Sequence, residues 1–225
     1  MKRLTIIAML ALLPMAATAQ RIHAFVSSGI TVNQIEGDEL KGFKHIGYTG
    51  GVGALVSISG DNRWGLSMEA LFSQHGARSK ANTRYYLYML DITSNYIEIP
   101  LLVHWQDKHG GMLFGAGVSY GRLVRQPSGS GKIGFKDDFF VPDTTDKAFL
   151  NNDLMAVLDA RFTVWRGLQI DIRWQHSLIP IKRDWNFYRF DGYEANSSGE
   201  QVERWTTITN NCYNHSISLR LIWQF

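Results

Sequence analysis

The chain has 225 residues, of which 45% are hydrophobic and 12% aromatic, with 21 glycines, a size for one domain rather than two. Its formal charge of +3 includes Lys2 and Arg3 of an N-terminal targeting segment. The remainder therefore carries about +1, and the basicity gives no ground for a nucleic-acid partner. The single cysteine, Cys212, excludes an intrachain disulfide framework. After the first residues no apolar run reaches the roughly 18 residues of a spanning helix, which excludes an ordinary helical membrane protein.

Lys2 and Arg3 begin a positive segment, Leu4 to Leu13 is apolar, and Ala17-Thr18-Ala19 supplies the small residues of a cleavage site. The apolar run of about ten residues is too short to span a bilayer. Residues 1–19 are expected to be a cleaved signal peptide and residues 20–225 the exported domain.

Eight segments then alternate with a period of two, the signature of strands. The first sets Ile22, Ala24, Val26, Ile30 and Val32 against His23, Ser27 and Thr31. The second runs from Ile46 through Tyr48, Val52 and Val56, with small residues between. Trp64 to Phe72 forms the third, and Ile97 to Trp105 the fourth, with Tyr96, Glu98, Pro100 and His104 on its other face. Met112 to Tyr120 alternates with glycine and serine. Leu154 to Val164 alternates with Asp153, Asp159 and Arg161, and Leu168 to Trp174 with Asp171 and Arg173. The last strand carries Ile217, Leu219, Leu221, Trp223 and Phe225 opposite Ser216, Ser218 and Arg220.

Alternation also fits a soluble sandwich or a lipocalin-type barrel, and the connections break the tie. Residues 59–62, 106–110 and 166–167 are tight turns, whereas 33–43, 75–90, 124–152 and 178–213 are long. Strict alternation of short and long connections predicts an eight-stranded antiparallel transmembrane β-barrel with short periplasmic turns and long extracellular loops. An even strand number puts both termini on the periplasmic side of a bacterial outer membrane. Trp64, Trp105, Trp165, Trp223 and Phe225 would form one interfacial girdle, and Tyr48, Tyr86, Tyr88 and Tyr120 the other.

Tyr96-Ile97-Glu98-Ile99-Pro100-Leu101-Leu102 resembles the YLEIPLL-type strand of PorT-like outer-membrane β-barrel proteins. A Gly-rich second strand (Gly47 to Gly53), Phe114-Gly115-Ala116-Gly117 and the C-terminal aromatic Phe225 follow the same order of features. The resemblance covers essentially the whole exported chain. It implies the fold, the outer-membrane location and insertion by the barrel-assembly machinery, and its founding member is linked to protein secretion. It implies no chemistry, since the motif is a barrel strand.

With the apolar faces toward lipid, Glu69, Glu98, Asp159, Arg161, Asp171, Arg173 and Arg220 fall in the lumen. An eight-stranded barrel is just wide enough for side chains to fill, so these charges are expected to pair as a structural plug rather than line an ion path. His75, His176 and His215, with Ser73, Ser177 and Ser216, are the candidates for a hydrolase at the rim. No nucleophile motif supports them. His104, His109 and Cys212 lack the grouping of a metal site, and no cofactor is expected. Among the loop residues Trp185, Phe187, Tyr188, Tyr193 and Trp205 are the candidate surface contacts for an extracellular ligand or secretion component. The expected function is non-enzymatic: structural, adhesive or secretion-accessory. A narrow pore or small-solute transporter and a lipid-active hydrolase are the alternatives.

Overall fold

Period-two alternation turns successive side chains to opposite faces of a strand, and among the described residues it produces nine antiparallel strands. A computed structural model describes residues 22–38, 42–78, 88–133 and 149–225. The expected signal peptide and Tyr86 lie outside the described residues. The strands are β1 (Ile22–Glu36), β2 (His45–Ser57), β3 (Trp64–Arg78), β4 (Tyr88–Gln106), β5 (Met112–Ile133), β6 (Asn152–Trp165), β7 (Leu168–Ser177), β8 (Lys182–Ala195) and β9 (Gln201–Gln224).

Eight of them close a barrel in the order β1-β2-β3-β4-β5-β6-β7-β9, with β9 returning to β1. The seam runs from Phe25↔Gln224 to Glu36↔Tyr213, and the other edge of β9 pairs with β7 from Leu168↔Trp223 to His176↔His215. The eight-stranded antiparallel barrel expected from the sequence is therefore present. Its strands run further than the alternation indicated, and part of the expected long loop 178–213 is strand. There β8 pairs with the far half of β9, from Lys182↔Cys212 to Ala195↔Gln201, as a hairpin outside the closed ring. A second projection is made by β4 and β5, whose pairing extends to Tyr88↔Ile133, while β5 and β6 stop at Arg122↔Asn152.

The short connections have local causes. The Ser59 hydroxyl accepts the backbone N–H groups of Arg63 (3.1 Å) and Trp64 (3.0 Å) and donates to Asp61 (2.6 Å). That bond, with the Arg63 amide, holds the Asp61 carboxyl below the usual carboxylate range. Gly167 turns β6 into β7 with φ +81°, where a Cβ would also lie 2.5 Å from the Gln224 carbonyl oxygen. Pro100 lacks an N–H. It sits between the β3 pairs Met68↔Leu101 and Leu71↔Glu98, where a missing rung is tolerated by intact neighbours.

The faces are inverted relative to a water-soluble barrel. Val26, Val52, Met68, Ile97, Val118 and Leu219 are exposed on the outside, whereas Ser67, Glu69, Glu98, Asp159, Arg173 and Arg220 are buried inside. Such an exterior is stable only against hydrocarbon, where a closed ring also satisfies the backbone. Trp64, Trp165, Trp223 and Phe225 are exposed at the short-turn end, and Tyr48 and Tyr120 are exposed nearer the other. Trp105 is partly covered, stacked 6.2 Å from Phe114 with Arg63 above it at 5.4 Å. Of Tyr88 only the backbone is described.

This geometry makes an outward charge costly in proportion to depth. Leu219→Arg, within the apolar outward stretch Ile217–Trp223 of β9, is expected to destabilise the barrel by about 2–4 kcal/mol, and Ile46→Arg near a strand end by about 0–1. Reversible urea unfolding in lipid vesicles measures both, and equal costs at the two positions would contradict the stated burial.

Candidate functional site: the filled lumen and the hairpin end

The inward faces of β3, β6, β7 and β9 converge on one charge cluster. Glu69 is its hub: it accepts hydrogen bonds from Arg161 (3.0 Å), Arg220 (2.9 Å) and Arg173. Arg173 also reaches Asp159 at 3.0 Å, and Arg220 reaches Asp171 at 2.6 Å. Three guanidiniums thus face three carboxylates, all essentially unexposed. Balanced numbers matter here, because a buried charge without a counter-charge costs several kcal/mol. Cross-strand register supplies the pairs directly through Asp159↔Arg173 and Asp171↔Arg220.

Glu98, grouped with these charges from sequence, belongs to a separate cluster. Its carboxylate meets His75 Nε2 at 2.6 Å and accepts from Gln175 at 2.9 Å. Beside it Asp153 accepts from Ser177 (2.8 Å) and Asn214 (2.9 Å). The structure therefore brings six of the seven predicted lumen charges together and places Glu98 apart from them, although all seven face inward.

Toward the hairpin end the lining changes character. Ile35, Ala77, Ile92, Ile181, Trp185 and Cys212 form a buried apolar cluster, with Phe149 packed against it. The Lys182 ammonium lies 4.4 Å from the Trp185 ring centroid and 5.1 Å from that of Phe149, a cation–π arrangement. Toward the short-turn end Phe25, Leu102, Leu113 and Ile222 are buried on inward faces. The filling of the barrel is thus apolar, charged, polar and apolar again from one end to the other.

Trp185, expected on the loop surface, is only 3% exposed. It follows the turn out of β7 and folds back over the lumen, because the large indole finds apolar cover there. Tyr193 is 65% exposed, near the tip of the β8–β9 hairpin. Phe187, Tyr188 and Trp205 belong to the same hairpin by backbone pairing, through Phe187↔Ile208, Tyr188↔Thr207 and Phe190↔Trp205. Their side chains lie outside the described residues.

The rim Ser and His candidates for a hydrolase do not assemble. His75 is inside with Glu98, Ser73 pairs with Thr49 (3.1 Å), and Ser177 with Asp153. Ser216 is buried, whereas its neighbour His215 points outward. A different trio does line up: Ser67 Oγ lies 2.6 Å from His104 Nε2, and His104 Nδ1 lies 3.5 Å from Asp159 Oδ1. Ser67 and His104 have no exposed surface, so this chain of groups completes the plug and offers a substrate no approach. Spacing hid it, since the three residues come from β3, β4 and β6. Gly115 makes room for it: a Cβ there would lie 2.0 Å from Asp159 Oδ1 and 2.6 Å from the His104 ring.

Compared with known proteins, the family described as "Outer membrane protein beta-barrel domain" matches residues 18–182. No curated protein matches the chain. Among solved structures it is similar to a major outer membrane protein from Thermus thermophilus, at 13% identity, with 91% of this chain and 100% of that one covered and a TM-score of 0.47. It is also similar to Ail, the attachment invasion locus protein of Yersinia pestis, at 10% identity, 90% and 98% coverage and a TM-score of 0.44. Neisserial surface protein A gives 10% identity, 92% and 99% coverage and a TM-score of 0.43.

Two measurements test this interior. Glu69→Ala leaves three guanidiniums facing two carboxylates and is expected to cost about 3–5 kcal/mol, read as a lower temperature for the heat-induced shift in gel mobility. An unchanged midpoint would mean that the cluster does not hold the barrel. Cys212 is fully buried in the apolar cluster. A maleimide should label it in urea-unfolded chain and leave the folded barrel unlabelled, and rapid labelling of folded protein would contradict the apolar closure.

Proposed function

The chain belongs to the outer-membrane protein β-barrel domain family, and on that premise we propose that its barrel is a sealed, non-enzymatic anchor. The work is done by the segments that project past the apolar band, in a structural, adhesive or secretion-accessory role. One observation carries this reading: inward side chains are buried at successive levels, from Phe25 and Leu113 through Glu69 and Glu98 to Ile35, Ile92, Ile181 and Trp185 under the hairpins. A narrow pore or small-solute transporter would need a continuous wet path along those same faces. A lipid-active hydrolase would need its serine and histidine open to lipid, and Ser67 and His104 are enclosed.

In this proposal residues 1–19 are removed on export and the barrel-assembly machinery inserts the remainder into outer-membrane lipid. The short turns and both termini face the periplasm, and the β4–β5 and β8–β9 hairpins face outward, where Tyr193 and Val202 are exposed. An extracellular ligand or a component of a secretion apparatus is the class of partner that such hairpins suit, because recognition concentrates on segments held by a rigid scaffold.

The refolded barrel is expected to give no stable conductance in planar bilayers, and discrete channels would overturn the anchor reading in favour of a pore. An epitope inserted after Ser198, in the turn that joins β8 to β9, should be labelled by antibody on intact cells. Labelling only after the outer membrane is permeabilised would reverse the proposed orientation.

A further inference from the structure

Three residues that the lumen and the hairpins leave unused meet on the outside of the barrel seam. Glu36 ends β1, His215 lies on β9 and His176 on β7. Registers Gln34↔His215, Glu36↔Tyr213 and His176↔His215 make them neighbours on the outward face. One ligand atom from each lies within 4.8 Å of the others.

We propose that Glu36, His176 and His215 form a binding site for a single divalent transition-metal ion of the zinc class. A carboxylate with two imidazoles is a common donor set for that ion, with bonds of about 2.0–2.2 Å and a fourth position left to water. Tetrahedral bonds of that length separate neighbouring donors by roughly 3.3 Å, so side-chain rotation alone closes the present spacing. Glu36 Oε1 and His215 Nδ1 already stand 2.9 Å apart.

A second observation points to a ligand independently. Nδ1 of His176 is closed off from solvent and has no hydrogen-bond partner among the described residues. Its ring is held in place by Trp174 at 6.0 Å and 12° and by Tyr213 at 6.4 Å and 21°. A clamped imidazole with an unused nitrogen is preorganised for coordination, which lowers the ordering cost of binding. The choice of a zinc-class ion over calcium or magnesium follows from the imidazoles, since hard cations prefer all-oxygen sites.

The metal-free arrangement also tells what must move. The Trp174 indole donates to His215 Nε2 at 2.7 Å, which leaves Nδ1 of the neutral ring to carry the proton toward Glu36 Oε1 at 2.9 Å, with the Gln34 side-chain amide 3.3 Å from the same nitrogen. An ion that enters takes the place of that proton. The proton moves to Nε2, and the indole N–H turns away because two donors cannot face each other.

Untagged full-length protein refolded in detergent micelles and dialysed against zinc chloride tests the site. One zinc per chain is expected, with retention weakened at least about tenfold in H176Q/H215Q and in Glu36→Gln, because three ligands act together. Calcium chloride at the same concentration should leave the protein unoccupied. Heat-dependent gel mobility checks that each variant folds. Should the double variant fail that check, His176→Gln alone replaces it, and zinc should raise the mobility-shift temperature of the parent chain and leave that of the variant unchanged. Absence of bound zinc in the parent chain, equal retention by folded variants, or equal retention of calcium would overturn the proposal.

Discussion

Closure of β9 onto β1 is the constraint from which the remaining structure follows. In hydrocarbon a backbone N–H or C=O without a partner costs several kcal/mol, so a strand there needs a neighbour on both edges. The seam supplies that condition from Phe25↔Gln224 to Glu36↔Tyr213, and the amide of Phe225 adds a last bond to the Ala24 carbonyl at 2.9 Å. Register is fixed by the same step, because a slip of one residue would send Leu219 and Ile217 inward and Arg220 and Ser218 toward lipid. A strand paired on one edge only suits water better than hydrocarbon. Among the described residues β8 pairs with β9 alone, and the outer half of β5 runs past its last described rung with β6, Arg122↔Asn152.

Once the outside is apolar, the interior has to hold the polar half of every strand in a space with little room for water. Charge balance answers part of that demand, through Glu69, Asp159 and Asp171 against Arg161, Arg173 and Arg220. Missing side chains answer the rest. A Cβ on Gly53 would meet the Phe25 ring at 2.5 Å and Glu69 at 2.9 Å, and one on Gly115 would strike Asp159 and His104. The glycine-rich stretches of β2 and β5 are thus the counterpart of the bulky guanidiniums opposite them. A lumen packed this way buries its polar side chains as a protein core buries its apolar ones.

Much of this was legible in the sequence, because period-two alternation and the order of short and long connections are local properties. Face could be read for Glu69, Asp159 and Arg173, but height could not. Glu98 faces the lumen like the others and yet pairs with His75 in a separate layer. Strand ends escape such a reading where alternation continues without an apolar outer face: β1 runs to Glu36 and β3 to Arg78, with Ile35 and Ala77 turned inward. Trp185 resembles a surface residue because its neighbours Arg183, Asp184 and Asn186 are polar, and its burial depends on Ile35, Ile92 and Phe149 arriving from elsewhere in the chain. The Glu36, His176 and His215 group was out of reach for the same reason, since three strands must close before it exists.

The outward face of the seam locates the upper edge of the membrane by a second route. On β9 the residues Leu221, Leu219 and Ile217 are exposed and apolar, and the next two outward positions are His215 and Tyr213. On β7, Ile172 gives way to Trp174 and His176, and on β1 Ile30 gives way to Gln34 and Glu36. A titratable, hydrogen-bonded cluster of this kind belongs among headgroups and water, where Trp and Tyr also concentrate. Both criteria, the loss of two-edged pairing and the change of outward chemistry, place the boundary just below the β8–β9 hairpin. The apolar closure around Trp185 therefore sits at the level where the barrel leaves the lipid. Beneath it the outward side chains are apolar, and above it the two hairpins are free of that requirement.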